Sequence, residues 1–136
     1  MSREILFRGK AVGTNKWVYG YYVHQYGAHE IVLPDGHDAD GFESRHVEPE
    51  TICRYTGLTD KNGNKIFEGD ILRVPYRPHD DCIVEWYDGS FRLRWANKDR
   101  RAEYGNDYNA VCCVQAVVGR RTIVGNIFDN CELVKE

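Results

Sequence analysis

Serine is scarce in this sequence, and none of it stands where a catalytic nucleophile would. The three serines, Ser2, Ser44 and Ser90, are terminal or turn residues, and no G-x-S-x-G elbow occurs. The sequence also lacks a glycine-rich loop ending in Lys-Ser or Lys-Thr, which would cradle a phosphate. We therefore expect no catalytic residue, no cofactor and no enzyme activity.

Long hydrophobic segments and an excess of positive charge are missing as well. The longest apolar run, residues 110–118, is interrupted by Gln115, whereas a helix needs about 20 apolar residues to cross a bilayer. Eighteen Lys and Arg stand against 21 Asp and Glu, giving a net charge of −3. We expect a soluble protein with no membrane partner, whose surface as a whole does not bind nucleic acid non-specifically.

The five cysteines form no C-x-x-C pair, and most have apolar neighbours. Since the N-terminus shows no signal peptide, we expect reduced cysteines and a cytoplasmic location. Potential metal ligands gather between residues 24 and 46, namely His24, His29, His37, His46, Asp35, Asp38 and Asp40. Their spacing fits neither a zinc site nor a calcium loop, so we expect no metal. A hydrolase that uses these His and Asp residues is one functional hypothesis, which ranks behind the two binding functions described below.

Aromatic residues, in contrast, are plentiful. Three Trp, nine Tyr and five Phe, together with 13 Gly, favour strands and turns over helices. Short segments separated by turn residues predict an all-β protein with minor helix, built from small antiparallel strands. We expect a single domain over residues 1–136. It has a β-rich N-terminal lobe at 1–49 and a partly open, SH3-like barrel at 50–136.

Two dipeptides predict tight turns. Asn62-Gly63 predicts a type I′ turn, in which both residues have positive φ, and Asp88-Gly89 joins two strands into the clearest hairpin of the chain. The acidic residues 35–46 predict a polar loop. Residues 110–118 are ambiguous between strand and helix, although their valines favour a strand.

Aromatic side chains lie on both faces of the strand predicted at residues 17–24. One face carries Trp17, Tyr19 and Tyr21, and the other carries Tyr22. Exposed aromatic surface on a small domain is typical of an interface. These four residues are our candidate interface for a homo-oligomer.

Positive charge concentrates in one stretch. Residues 92–101 contain five basic residues against Asp99, namely Arg92, Arg94, Lys98, Arg100 and Arg101, whereas residues 35–50 contain six acids against Arg45. Small barrels bind single-stranded nucleic acid by combining such charge with aromatic side chains that stack on bases. The alternative is a solvated face that lies beside the acids of residues 35–50, within one molecule or between subunits.

Several segments resemble the YopX family, whose proteins are encoded by bacteriophages and prophages. The similar segments are residues 3–10, 17–23, 49–51, 55–63, 66–71 and 124–130, followed by Glu132 and Leu133. The resemblance implies a β-rich fold with a barrel-like C-terminal half, a phage or prophage origin, and self-association. The family has no assigned activity, so the resemblance implies no catalytic residue.

The residues of this signature have a structural interpretation. Its glycines, including Gly57, Gly63, Gly69 and Gly125, shape turns, and Asp60 and Asp70 hydrogen-bond local backbone. Our leading hypothesis is therefore a non-enzymatic, homo-oligomeric phage accessory protein that binds a host or phage protein, or a nucleic acid, in the cytoplasm of the host cell. A single-stranded nucleic-acid binding protein that uses the basic stretch is the alternative.

Overall fold

The computed structural model describes residues 4–38, 41–100 and 113–134. The chain divides after Tyr55 into two compact units, called here the N-terminal and the C-terminal unit. The described part consists mainly of antiparallel strands and contains only short helices. The predicted all-β class with minor helix is confirmed, and neither sheet closes into a barrel within the described ranges.

The N-terminal unit is a meander of strands. Its strands are β1 (Phe7–Lys10), β2 (Trp17–Gln25), β3 (Ala28–Asp38), β4 (Gly41–His46) and the beginning of β5 (Cys53–Thr59). Their order in the sheet is β4-β3-β2-β1-β5. Each neighbouring pair from β1 to β4 is connected in sequence, so local turns account for this part of the topology.

Two features fix the β2–β3 hairpin. Tyr26 and Gly27 both have positive φ, at 53° and 77°, as a two-residue type I′ turn requires. In the strand itself, a Cβ placed on Gly20 would lie 2.1 Å from the carbonyl oxygen of Val32. No side chain fits there, so glycine allows β2 and β3 to approach each other.

The prediction of a polar loop at residues 35–46 is wrong. Strand β3 continues to Asp38 and β4 begins at Gly41, with His37 opposite Phe42 and an irregular register between Val32 and His37. Because a strand ladder is made by main-chain groups, acidic side chains do not prevent it. Residues 39 and 40 lie outside the described ranges.

The C-terminal unit contains the end of β5 and five further strands. These are β6 (Lys65–Phe67), β7 (Asp70–Val74), β8 (Arg77–Tyr87), β9 (Ser90–Trp95) and β10 (Thr122–Asn126). Four of them form a sheet in the order β10-β7-β8-β9, while β6 neighbours β5. Strand β10 reaches its place beside β7 from a distant part of the sequence.

Both faces of the β10-β7-β8-β9 sheet are covered. Leu72 and Val84 belong to one buried cluster, which includes Leu93 of β9. Their sequence neighbours Ile71 and Ile83 belong to a second cluster. Because successive side chains of a strand point to opposite faces, β7 and β8 supply both clusters at once. Burial on two faces explains why apolar residues follow one another directly in these strands, at Ile71-Leu72 on β7 and Ile83-Val84 on β8.

The predicted turns have different outcomes. Asp88 and Gly89 have φ values of 50° and 84°, which confirms the hairpin between β8 and β9. At Asn62-Gly63, however, only Gly63 has a positive φ, so the type I′ prediction is wrong. Asp60 explains the difference, because its carboxylate accepts hydrogen bonds from the N–H groups of Asn62 and Asn64 at 2.9 Å. These bonds hold a longer, Asx-type turn.

The sequence favours a strand at residues 110–118. This prediction is wrong in the part that the structure describes, since Gln115–Val118 is a short helix. Val118 is fully buried in the first core cluster, and Val114 is exposed. One helical turn is too short for its periodicity to be read from sequence. Residues 110–112 lie outside the described ranges.

Candidate functional site

The exposed aromatic surface of β2 is smaller than the sequence predicts. Trp17, Tyr19 and Tyr21 share one face of the strand. The guanidinium carbon of Arg8 lies 4.5 Å from the centre of the Trp17 ring, and Lys10 Nζ lies 5.4 Å from it. Trp17 is therefore engaged by two cations of β1. Tyr19 and Tyr21 are 45% and 53% exposed.

Tyr22 points to the opposite face and packs within the N-terminal unit. Its ring lies 5.8 Å from that of Phe7 and stacks on His29 at 6.0 Å. A hydrogen bond of 2.6 Å joins its hydroxyl to His29 Nδ1, and His24 stacks on His29 at 4.0 Å. Of the four aromatic residues predicted for an interface, the structure therefore leaves Tyr19 and Tyr21 as one exposed pair.

The basic stretch is largely paired with acids and a hydroxyl of the same unit. Arg94 Nε donates to Glu85 Oε1 at 2.7 Å, and Arg92 Nε donates to Ser90 Oγ at 2.9 Å. Strand register explains the first pair, because Glu85 lies opposite Arg92 and Arg94 is its diagonal neighbour on the same face. Alternating charge on β8 and β9 thus produces cross-strand pairs.

A second acid of β8, Asp80, pairs with Arg100. Arg100 Nε lies 3.0 Å from Asp80 Oδ1. Lys98 is exposed, and no ion pair joins it to another described residue. The acids that meet Arg94 and Arg100 come from β8. Pairing of the basic stretch with the acids of residues 35–50, within one molecule or between subunits, stays a prediction. Arg101 lies outside the described ranges.

Asp60 is a buried acceptor in the turn that follows β5. Its Oδ1 accepts the two turn N–H groups described above, and its Oδ2 accepts from Ile123 N on β10 at 3.1 Å. Burial by itself would raise the pKa of Asp60, but the N–H groups of Asn64, Ile123 and Asn62 together lower it below its ordinary value. The carboxylate joins the β5–β6 turn to β10.

Asp70 and Asn126 play similar parts on the neighbouring strands. Asp70 Oδ2 accepts from Phe67 N at 2.8 Å, and Asn126 Oδ1 accepts from Phe128 N and Asp129 N at 3.0 and 2.9 Å. The two residues are register partners on β7 and β10. The prediction that Asp60 and Asp70 bind local backbone is confirmed, and these polar atoms serve the fold.

A cleft on the C-terminal unit was not predicted from the sequence. It has a volume of about 270 Å³, and its lining includes Tyr76, Arg77, Val117, Arg120 and Arg121. The arginines come from the start of β8 and from the segment after the Gln115–Val118 helix. In the sequence, only the adjacent pair Arg120-Arg121 indicates a cluster of positive charge here. Arg77 is distant along the chain, so its position beside the pair cannot be predicted from local sequence.

Two kinds of site are missing from the described part of the chain. No group of three His, Cys, Asp or Glu side chains within these ranges could hold a metal ion. Likewise, none of the described helices has the length and apolar character needed to cross a membrane.

Comparison with known proteins agrees with the sequence resemblance. The family model described as YopX protein matches residues 6–135, nearly the whole chain. The chain belongs to the YopX family. Among solved structures, protein EF1440 from Enterococcus faecalis is similar to this YopX protein, with 23% sequence identity and a TM-score of 0.60 over 98% of this chain and 100% of that chain. That likeness shows a shared fold. The search of curated proteins gives no match.

Proposed function

We propose that this YopX protein is a non-enzymatic binding protein of a phage or prophage, and that it acts as a homo-oligomer in the cytoplasm of its bacterial host. Its partner in this proposal is a host or phage protein. The exposed tyrosine pair of β2, Tyr19 and Tyr21, is the single observation that carries the proposal.

The chemistry of the pair favours a second copy of the chain as its occupant. In a two-fold dimer the same patch lies on both subunits, so each residue near the axis meets its own copy. Charged residues repel their copies there, whereas neutral tyrosines stack and hydrogen-bond. Tyr19 and Tyr21 alternate on one strand and share one face, so they form a compact, self-complementary patch.

The oligomeric state tests this proposal directly. Light scattering during size-exclusion chromatography, at micromolar concentration, should give a multiple of 15.8 kDa for the wild type. The double variant Tyr19→Ser/Tyr21→Ser should elute as a monomer. Tyr26→Asn is the matched control, because Tyr26 is 97% exposed in the same unit and asparagine tolerates its positive φ. A wild-type monomer would refute the proposal, as would equal dissociation by the control.

Single-stranded nucleic-acid binding by Arg92, Arg94, Lys98, Arg100 and Arg101 stays a prediction. The ion pairs of Arg94 and Arg100 weaken it, because a guanidinium held by a carboxylate has less charge to offer a phosphate. If it is correct, binding falls steeply with salt and is lost in Arg100→Glu/Arg101→Glu. The absence of a gel shift at low salt would dismiss it.

A further inference from the structure

The cleft of the C-terminal unit gathers positive charge without matching negative charge. Arg77, Arg120 and Arg121 contribute to its lining, and no carboxylate does so among the described residues. Asp80 Oδ2 lies 3.8 Å from Arg77 Nη1, but the other oxygen of the same carboxylate lies 3.0 Å from Arg100 Nε. The charge balance around the cleft is therefore positive.

The other polar neighbours do not offset this charge. Asp81 is held by Arg73 through hydrogen bonds of 2.9 and 2.8 Å. Arg121 Nη1 lies 3.9 Å from Cys82 Sγ. Burial raises the pKa of the Cys82 thiol to about 11, although Arg121 opposes the shift. At neutral pH the thiol is therefore uncharged, and Arg121 has no anion at that contact.

The cleft is also held in place before any ligand arrives. Gln115 Nε2 donates to Thr59 O at 2.7 Å, and its Oε1 accepts from Thr59 N at 3.1 Å, so the side chain fastens the short helix to β5. At the other end, Lys61 N donates to Arg121 O at 2.8 Å. Fixed backbone on both sides of Arg120 lowers the entropy lost when a ligand binds.

We propose that this cleft binds the phosphate group of a small nucleotide. Guanidinium groups match phosphate oxygens in charge and in bidentate geometry, and three of them line one cavity. Tyr76 is 81% exposed at the same cavity and offers a ring on which a base stacks. The volume of about 270 Å³ lies just below the usual lower limit of about 300 Å³ for small-ligand pockets, so the cleft suits a single nucleotide and nothing larger. This inference does not depend on the oligomer.

Calorimetric titration with adenosine 5′-monophosphate tests the proposal, with adenosine and inorganic phosphate as parallel probes. Low ionic strength is needed because salt screens such contacts. We expect saturable binding of the monophosphate, weaker binding of phosphate and none of adenosine. Arg120→Gln should lower the affinity for the monophosphate by about tenfold or more, since a charged hydrogen bond is lost.

Two further variants separate the parts of the site. Tyr76→Ala should weaken the binding of the monophosphate but leave the binding of inorganic phosphate unchanged, because only the base stacks on the ring. Arg45→Gln changes an exposed arginine of the N-terminal unit and should alter nothing. The proposal is overturned if the monophosphate does not bind, or if Arg120→Gln binds it like the wild type. It is also overturned if phosphate binds as tightly as the monophosphate and Tyr76→Ala affects neither.

Discussion

Replacing Asp60 by asparagine removes one negative charge from a buried position in the C-terminal unit and leaves the side-chain shape almost unchanged. The carboxylate is buried and accepts four hydrogen bonds. Oδ1 accepts from Asn62 N and Asn64 N, and Oδ2 accepts from Ile123 N at 3.1 Å and Asn64 Nδ2 at 3.4 Å. An amide places a donor where one of these acceptors now stands.

The size of the effect follows from these bonds. If the amide oxygen keeps the two turn N–H groups, the amide nitrogen faces Ile123 N–H, and that donor loses its partner. A buried donor left unsatisfied costs about 1–3 kcal/mol, and a hydrogen bond to a charged group contributes about 1.5–3 kcal/mol. Since the retained bonds also lose the charge, we expect Asp60→Asn to lower the free energy of unfolding by about 2–4 kcal/mol.

Urea denaturation followed by tryptophan fluorescence measures this loss, because Trp95 packs against the core of the same unit. Asp88→Asn is the matched control. Asp88 is exposed in a turn with a φ of 50°, which asparagine tolerates, so its effect should stay within about 0.5 kcal/mol. The midpoint should shift for Asp60→Asn at an unchanged slope.

The pH dependence of the effect has a definite sign. The pKa of Asp60 is lowered in the folded state by its hydrogen bonds, although burial acts in the opposite direction. The stability that the charge contributes is therefore present above the ordinary carboxyl pKa and is lost as pH falls through the lower folded value. The difference in the free energy of unfolding between wild type and Asp60→Asn should therefore be largest at neutral pH and decrease in acid. A difference that does not change with pH, or one no larger than that of Asp88→Asn, would refute the reasoning.

Three other predictions concern stability. Burial raises the pKa of Cys82 from 9.0 to about 11, so the folded state keeps a proton that the unfolded chain releases. Stability should be intact below pH 9 and fall by up to about 3 kcal/mol as pH rises to 11, and Cys82→Ala should remove this slope in urea titrations. A Cβ on Gly125 would lie 2.4 Å from Asn130 Oδ1, so Gly125→Ala should cost about 1–3 kcal/mol in thermal denaturation and less in an Asn130→Ala background. Asp81→Asn should cost about 1–3 kcal/mol, because it breaks a two-bond pair between a buried carboxylate and Arg73.

Each of these has an outcome that contradicts it. The Cys82 prediction fails if the alkaline slope is the same in wild type and Cys82→Ala. The Gly125 prediction fails if the costs of the two substitutions simply add, because the clash then lies elsewhere. The Asp81 prediction fails if Asp81→Asn has the midpoint of the wild type.

Sequence reasoning succeeded where local chemistry decides the structure. Asp88-Gly89 supplies two residues that tolerate positive φ, and a hairpin forms there. Phe91, Leu93 and Trp95 alternate with arginines, and the alternation alone assigns them to the core face of β9. In these cases, neighbours in sequence carry the whole signal.

It failed where the deciding partner is distant or unusual. Tyr26 at positive φ gives no recognisable turn signal, yet it forms the tip of a hairpin. The short Gln115–Val118 helix is held by Thr59, which lies 56 positions away from Gln115. The charge of the basic stretch was read correctly, but its neutralisation depends on the register that places Glu85 beside Arg94. None of these relations exists within a short window of sequence.

The buried polar residues among those that carry the family resemblance are poor candidates for binding a ligand, for a physical reason. Asp60, Asp70 and Asn126 are buried and direct their oxygens to backbone N–H groups of the C-terminal unit. An acceptor already satisfied by the fold cannot serve a ligand without leaving a buried donor unpaired. Exposed residues do not have this constraint, and in the described chain they include the pair on β2 and the arginines of the cleft. A substitution such as Asp60→Asn should therefore change stability first, whereas Tyr19→Ser or Arg120→Gln should change association or binding in a protein that still folds.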